Sequence, residues 1–278
     1  MRICLITPDP DHPLLAAAAG LLRAAGHRVE PLDPGTAAGP PAPPLAPPLA
    51  PPLADVYLLK ARTPQALALA RELERQGAPV VNTAAATTLC QDRTAMAELA
   101  VRAGLPFAAT RTHDSLGAWA ASGDPVPDGP VVVKSRHSRR HDLVARADDA
   151  ARLRELAAQW PQEPVVVQDF APNNGWDHKL WAVGGRVFAA LRRSELAPEG
   201  RGPTLPLALG ELPAGWEQLV LRVGEVFALD VYGVDVIDTG GGVPLVVDVN
   251  AFPGIRGQAG APEALARLAL ARATTRHG

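Results

Sequence analysis

Three oxygen-bearing side chains near the C-terminus could hold a hard cation together. Asp248 and Asn250 stand two residues apart within Val243–Gly257 (VPLVVDVNAFPGIRG), where Leu245–Val249 is an apolar run. In a strand, residues i and i+2 face the same side, so the carboxylate and the amide point at one spot. A second run, Val231–Ile237 (VYGVDVI), carries Asp235 and is joined to the first through Asp238-Thr239-Gly240-Gly241-Gly242. Such glycines signal a tight hairpin, and a turn centred on Gly241-Gly242 sets Asp235 directly opposite Asp248. Two carboxylates and an amide oxygen suit magnesium, which takes a few protein oxygens and substrate phosphates. The competing reading makes Asp238 and Asp248 turn or strand-end polars and Asn250 a cap before Pro253-Gly254. Asp248 lies inside an apolar strand, where an unpaired carboxylate is costly, and that weighs against it.

Cations stand at several strand ends. Lys134 closes Val131–Ser135 (VVVKS), and a lysine there needs an anionic partner such as a nucleotide phosphate. In Trp176-Asp177-His178-Lys179, Asp177 and Lys179 alternate onto one strand face, away from His178. Arg192 and Arg193 follow the hairpin Leu180–Leu191 (LWAVGGRVFAAL). Lys60 and Arg62 fall just past the carboxyl end of a strand, where open α/β sheets place their ligands. For that pair, contact with an acceptor substrate and simple solvation are both open. The loop Arg136-His137-Ser138-Arg139-Arg140-His141 contains no glycine. Its side chains could hold phosphate, read an anionic acceptor, or order over a bound nucleotide. One loop without interleaved aromatics is thin support for nucleic-acid binding.

The elements that must position these groups are legible in order. Ile3–Ile6 reads as a buried strand, Pro13–Ala25 as a helix closed by Gly26, and Arg28–Leu32 as the next strand, a βαβ opening that favours a parallel sheet. No G-x-G-x-x-G marks a dinucleotide site. Pro40–Leu53 (PPAPPLAPPLAPPL) reads as an extended polyproline-type connection. Strand Asp55–Lys60, helix Pro64–Gln76 and strand Pro79–Val81 follow. Then come a linker, a helix from about Gln91 to Ala103, a helix Asp148–Trp160 and the strand Pro164–Phe170. An irregular loop Glu199–Leu212 leads to an amphipathic helix Ala214–Leu229, with Leu219, Val223, Val226 and Phe227 at helical spacing. Pro262–Ala273 is expected as a C-terminal helix packing on the sheet.

Taken in sequence, these motifs resemble the ATP-grasp superfamily. VDVNAFPG, preceded by GVDVID and a glycine turn, is similar to its C-terminal metal motif. The nearest variety is that of RimK-like ligases and glutathione synthetases, which usually have Glu at the Asp248 position. The Asp-x-Asn form with AFPG also resembles the inositol trisphosphate 5/6-kinases. Asn82–Thr110 is similar to the RimK-type pattern N-(S/T)…D-K…L…G-(I/L)-P-x-P-x-T, with Arg93 where the family usually has Lys. The resemblance covers roughly Val80–Ala269. It implies an ATP-grasp fold of mixed α/β and α+β character. The expected lobes are an N-terminal α/β lobe over 1–88 with the Pro-rich loop 40–53, a central lobe over 89–170, and a C-terminal lobe over 171–278 with the metal site.

The resemblance also assigns roles. ATP and Mg²⁺ are the implied cofactors. Asp235, Asp248 and Asn250 would hold the metal. Arg93, Lys134 and Lys179 would hold phosphates, Gln168, Asp169, Phe170 and Ala171 would form the adenine hinge, and Asp177 would order Lys179 or reach ribose. Arg192 would meet the transferring phosphoryl group, with Lys179 beside it in catalysis. The implied activity is carboxylate–amine ligation through an acyl-phosphate. Phosphorylation of a small hydroxyl substrate such as an inositol phosphate is the alternative, and a nucleotide-binding module without turnover is a third reading.

Composition sets bounds. The 278 residues are 47% hydrophobic, enough for a sizeable core, and the net charge of −2 gives no global reason to expect nucleic acid. Two cysteines without metal spacing fit a reducing cytosol. The N-terminal apolar run is too short for a signal peptide, and no run approaches a membrane span. The expected partners are small-molecule carboxylate and amine substrates, without nucleic acid or membrane. Self-association into a homo-oligomer is implied by the resemblance alone.

Overall fold

The computed structural model describes residues 1–35, 52–122, 129–197, 200 and 202–274. Most of the Pro40–Leu53 connection, and Glu199 of the irregular loop, lie outside the described residues.

Three sheets organise the chain. In the first, β1 (Arg2–Ile6), β2 (Arg28–Leu32), β3 (Val56–Leu59) and β4 (Val80–Val81) run parallel in the order β2-β1-β3-β4. Their crossovers carry α1 (Pro13–Ala24) and α2 (Pro64–Arg75), both with proline in the first turn, where its missing N–H costs nothing. Thr63 caps α2 by accepting the Ala66 N–H at 3.2 Å. The C-terminal helix, α8 (Ala261–Thr274), packs beside α1 on this sheet through Leu265 and Ala269, both fully buried.

The second sheet is antiparallel, in the order β5-β8-β6-β7: β5 (Thr110–His113), β6 (Val131–Ser135), β7 (Val144–Ala147) and β8 (Val165–Asp169). Helices α5 (Leu116–Ala121) and α6 (Ala150–Gln159) cover one face, against Val131, Val133, Val165 and Val167. Strand alternation therefore turns Val132, Lys134 and Gln168 to the opposite face. Before this sheet, the helix expected from about Gln91 to Ala103 is present as α4 (Arg93–Arg102), and a short helix, α3 (Ala84–Leu89), stands in the expected linker. Thr83 and Asp92 cap them through side-chain oxygens, and that pair of caps divides the segment.

The third sheet has five strands in the order β11-β10-β9-β12-β13: β9 (Trp176–Val183), β10 (Arg186–Arg193), β11 (Thr204–Leu207), β12 (Val231–Asp238) and β13 (Pro244–Ala251). Helix α7 (Trp216–Phe227) lies across one face and shares a core with α4. Its fully buried stripe is Trp216, Val220, Val223 and Phe227, while the expected Leu219 and Val226 flank it half-buried. Asn82 staples the first sheet to the third. Its Nδ2 donates to the Val231 carbonyl at 2.7 Å, and its Oδ1 accepts the N–H groups of Asp230 and Val231 at 2.8 and 3.0 Å.

Candidate active site

The carboxylates come together through a backbone irregularity. The β12–β13 turn is centred on Gly241, because Asp238 pairs with Pro244, Ile237 with Leu245 and Val236 with Val246. Continued without interruption, that register would set Asp235 opposite Val247 and turn Asp248 and Asn250 toward α7. A one-residue bulge at Val247 shifts it, so Asp235 faces Asp248 and Gly233 faces Asn250. The expected pairing is present, but the bulge produces it rather than a turn on Gly241-Gly242. Past the bulge, Val249 and Ala251 point into the core with Val234 and Tyr232, and Asp248 and Asn250 face the cavity. Trp216 Nε1 steadies the turn by donating to the Gly242 carbonyl at 2.9 Å.

Three cations meet these carboxylates. Lys179 Nζ lies 2.8 Å from Asp235 Oδ2 and 3.2 Å from Asp177 Oδ2. Asp177 and Lys179 share the cavity face of β9, as alternation requires. Arg93 begins α4, buried, with Nη1 donating at 2.7 Å to both the Ser135 carbonyl and Asp142, and Nη2 3.6 Å from Asp248 Oδ2. Its Nε is buried without a partner. Lys134 reaches across from β6 and donates to the bulge carbonyl of Val247 at 2.8 Å. Burial pushes its pKa down to about 8, with Asp248 opposing the fall.

These groups line one end of a cavity of about 340 Å³ between the second and third sheets. The far end is built by Gln168, Asp169, Phe170 and Ala171 with Val132, Val144, Ile237 and Leu245. Gln168 donates to Thr110 Oγ1 at 3.0 Å, Asp169 accepts from Arg111 at 2.6 Å, and the Phe170 N–H bonds the Pro130 carbonyl. The Arg146 guanidinium lies 4.0 Å from the centre of the Phe170 ring and forms a wall there. Asp142, Arg146 and Ser194 line the cavity without having stood out in the sequence. They lie in a loop, a short half-exposed strand and a strand exit, none with an apolar signature.

Other expected residues sit elsewhere. Arg192 does not line the cavity. It stands one strand away on β10, paired with Asp177 in the ladder, its Nε buried and without a hydrogen-bond partner among the described residues. In the 136–141 loop, Arg136 clasps Asp92 with hydrogen bonds of 2.8 to 3.2 Å, and Arg139 grips both oxygens of Glu163 at 2.7 Å. Burial alone would raise the Asp92 carboxyl, but the Arg136 bonds and the helix N–H groups outweigh it and hold it below its usual range. These arginines latch the loop to α4 and to the α6–β8 turn rather than offering charge to a ligand. His178 points into the core, edge-on to Trp216 with ring centres 4.7 Å apart, and burial lowers its pKa.

Comparison with known proteins resolves the kinship. The RimK-like ATP-grasp domain matches residues 122–262. The chain belongs to the RimK-like ATP-grasp family. Within the family it is 28% identical over 203 residues to a probable alpha-L-glutamate ligase 2 of Hahella chejuensis, covering 70% of this chain and 66% of that protein. It is 26% identical over 280 residues to a probable alpha-L-glutamate ligase of Thioalkalivibrio sulfidiphilus, covering 92% and 89%. A RimK domain ATP-grasp protein of Sphaerobacter thermophilus superposes with a TM-score of 0.73 at 25% identity, over 97% of this chain and all of that one. The D-alanine–D-alanine ligase of Bacillus anthracis complexed with ATP superposes at 0.69 and 14% identity, over 100% and 99% of the two chains, and shares the fold.

The donor set fits the family's groups. Among the described residues no cluster of three or more His, Cys, Asp or Glu side chains could hold a metal unaided. Asp235, Asp248 and Asn250 offer two carboxylates and an amide oxygen, a partial shell that suits a magnesium ion also bound to phosphate oxygens. The unpaired Arg93 Nε and the buried Lys134 ammonium beside it fit a polyphosphate.

Proposed function

We propose that the chain is an ATP-dependent carboxylate–amine ligase, with L-glutamate as the amine substrate that its relatives' names suggest. The observation that carries this reading is the cluster assembled by the Val247 bulge: Asp235, Asp248 and Asn250 face Lys134, Lys179 and Arg93 at one end of a cavity whose other end is the Phe170 hinge. Magnesium held by Asp235, Asp248 and Asn250 would neutralise charge developing on the transferring phosphate. Lys134, Lys179 and Arg93 would bind and orient the phosphate chain, since such transfer is mostly positioning and electrostatics. Phe170, Val132 and Leu245 would sandwich a flat base and exclude water. Arg192, with its unpartnered Nε, would stabilise the phosphoryl group on the acceptor carboxylate until the amine displaces phosphate. Two free, buried cysteines support a reducing, cytoplasmic setting.

The kinase alternative rested partly on the basic loop. With Arg136 and Arg139 already paired to carboxylates, that support shrinks to Arg140, and the relatives' names favour ligation. The test is Asp248→Asn, assayed for magnesium-dependent ADP and phosphate release with L-glutamate and carboxylate peptides. Turnover should fall by at least about a hundredfold, as expected when a group that neutralises transition-state charge is lost; wild-type turnover would overturn the assignment.

A further inference from the structure

A second concentration of positive charge lies where the first sheet meets the segment following Asn250. Lys60, at the carboxyl end of β3, donates to the Phe252 carbonyl at 3.0 Å and lies 5.6 Å from the centre of that ring. Phe252 is two residues past Asn250, a separation of at most about 7 Å along the chain. His12 precedes α1, is 7% exposed, and leaves its Nδ1 buried without a partner. It makes no side-chain cap, so the positive end of α1 is not neutralised there. A Cβ on Gly254 would stand 3.3 Å from His12 Nε2, a tight contact, so this segment's backbone runs close beside the imidazole. Arg62 and Arg256, both exposed, complete the group.

Unlike Arg93 and Lys179 in the cavity, Lys60, Arg62 and Arg256 have no ion-pair partner among the described residues. Burial first, then Arg62 and Arg256, push Lys60 down to about 8, and Asp9 opposes them. A set of like charges that disfavour one another gains from an anion placed among them. Lys134, Lys179 and Arg93, the cations assigned to phosphate, line the cavity between the second and third sheets, so this set is left for a different anion. On the ligase reading, the substrate that approaches past Asn250 is an amine, and an amino acid brings a carboxylate that does not react.

We infer that His12, Lys60, Arg62 and Arg256 bind the non-reacting carboxylate of the amino-acid substrate, so that the enzyme selects amines bearing a free carboxylate. This rests on the ligase reading above. The experiment is calorimetric titration of L-glutamate, and of its diamide, into the full chain loaded with magnesium and a non-hydrolysable ATP analogue. Arg256→Gln alters only an exposed side chain, and Lys60→Met is checked for folding by its urea midpoint. Each variant should weaken L-glutamate binding about tenfold or more, as the loss of a charged hydrogen-bond partner predicts, with analogue affinity unchanged. The diamide should not bind. Wild-type affinity in both variants, equal binding of the diamide, or a loaded wild-type chain that binds none of L-glutamate, L-aspartate and succinate would each overturn the inference. Glutamate binding through these residues without amide formation would leave it standing and sink the ligase reading alone. Amide formation at the wild-type KM in both variants would sink this site alone.

Discussion

Replacing Lys134 with methionine separates what its ammonium does to the fold from what it does for a nucleotide. Lys134 is 7% exposed, and burial takes its pKa from 10.5 to about 8. At pH 7 the native state holds a charge that the unfolded chain holds more easily, a penalty of about 3 kcal/mol. The native pKa is the lower one, so between about 8 and 10.5 the unfolded chain binds the extra proton, and stability from this group rises with pH. Lys134→Met has no such contribution. Between pH 7 and pH 9 the wild type should therefore gain on the order of 1 kcal/mol relative to the variant. The variant also leaves the Val247 carbonyl without its donor, which displaces its curve by about 1–3 kcal/mol without changing its slope. Lys60 is depressed in the same direction but is present in both proteins and cancels. Urea unfolding of the nucleotide-free, chelator-treated proteins at pH 7, 8 and 9 measures the difference, and parallel curves would refute the reasoning. In the same variant, ATP should no longer raise the melting temperature as a bound ligand does.

Three further outcomes are expected. Asp92→Ala removes the cap that accepts from Thr94 and Ala95 and the partner of Arg136, and should lower stability by about 1–2 kcal/mol; an unchanged urea midpoint would contradict this. Gly224→Ala would place a Cβ 2.2 Å from the hydroxyl of buried Tyr232, which donates to the Val220 carbonyl at 2.9 Å. Overpacking should cost about 1–3 kcal/mol there, whereas helix propensity alone predicts a gain of about 1 kcal/mol, so the sign of the measured change is decisive. Arg192→Met should leave the ATP-induced rise in melting temperature intact while turnover falls, because Arg192 stands outside the cavity; loss of the thermal shift would place it at the nucleotide instead.

The parts legible in the sequence were those whose burial writes a period. The inner parallel strands, β1 and β3, are nearly continuous apolar runs, and proline and glycine punctuate the helices that follow them. Alternation in Trp176–Lys179 correctly set Asp177 and Lys179 on one strand face, and that face lines the cavity, as does Lys134 at the end of its apolar strand. Elements without a period were missed. β5 (TRTH) is half-exposed and polar, β7 (VARA) is four residues with a charge inside it, and β11 (TLPL) is an exposed edge containing Pro206. α5 is only six residues long. The role of the loop arginines stayed open for a related reason. A local reading sees the charge of Arg136 and Arg139 but not Asp92 and Glu163, which lie 44 and 24 residues away.

The carboxylate hairpin shows how a correct pairing can follow from an incorrect premise. Glycines fix where a hairpin turns, and here the turn is centred on Gly241 alone. By itself that centre would bury Asp248 and Asn250 among Val220, Val223 and Phe227 and give Val247 to the cavity. One extra residue in β13 brings Asp248 and Asn250 to the cavity beside Val247, and nothing in the local apolar pattern marks it, because Val246 and Val247 are the same residue type. What distinguishes them is a partner from another sheet: Val246 bonds the Pro106–Ala108 segment on both sides, while the Val247 carbonyl takes the ammonium of Lys134. Lys134 thus links the register of the carboxylate hairpin to the cation that a phosphate would meet. A buried lysine with a lowered pKa is a poor choice for stability, and its place is explained by that link between the two sides of the cleft.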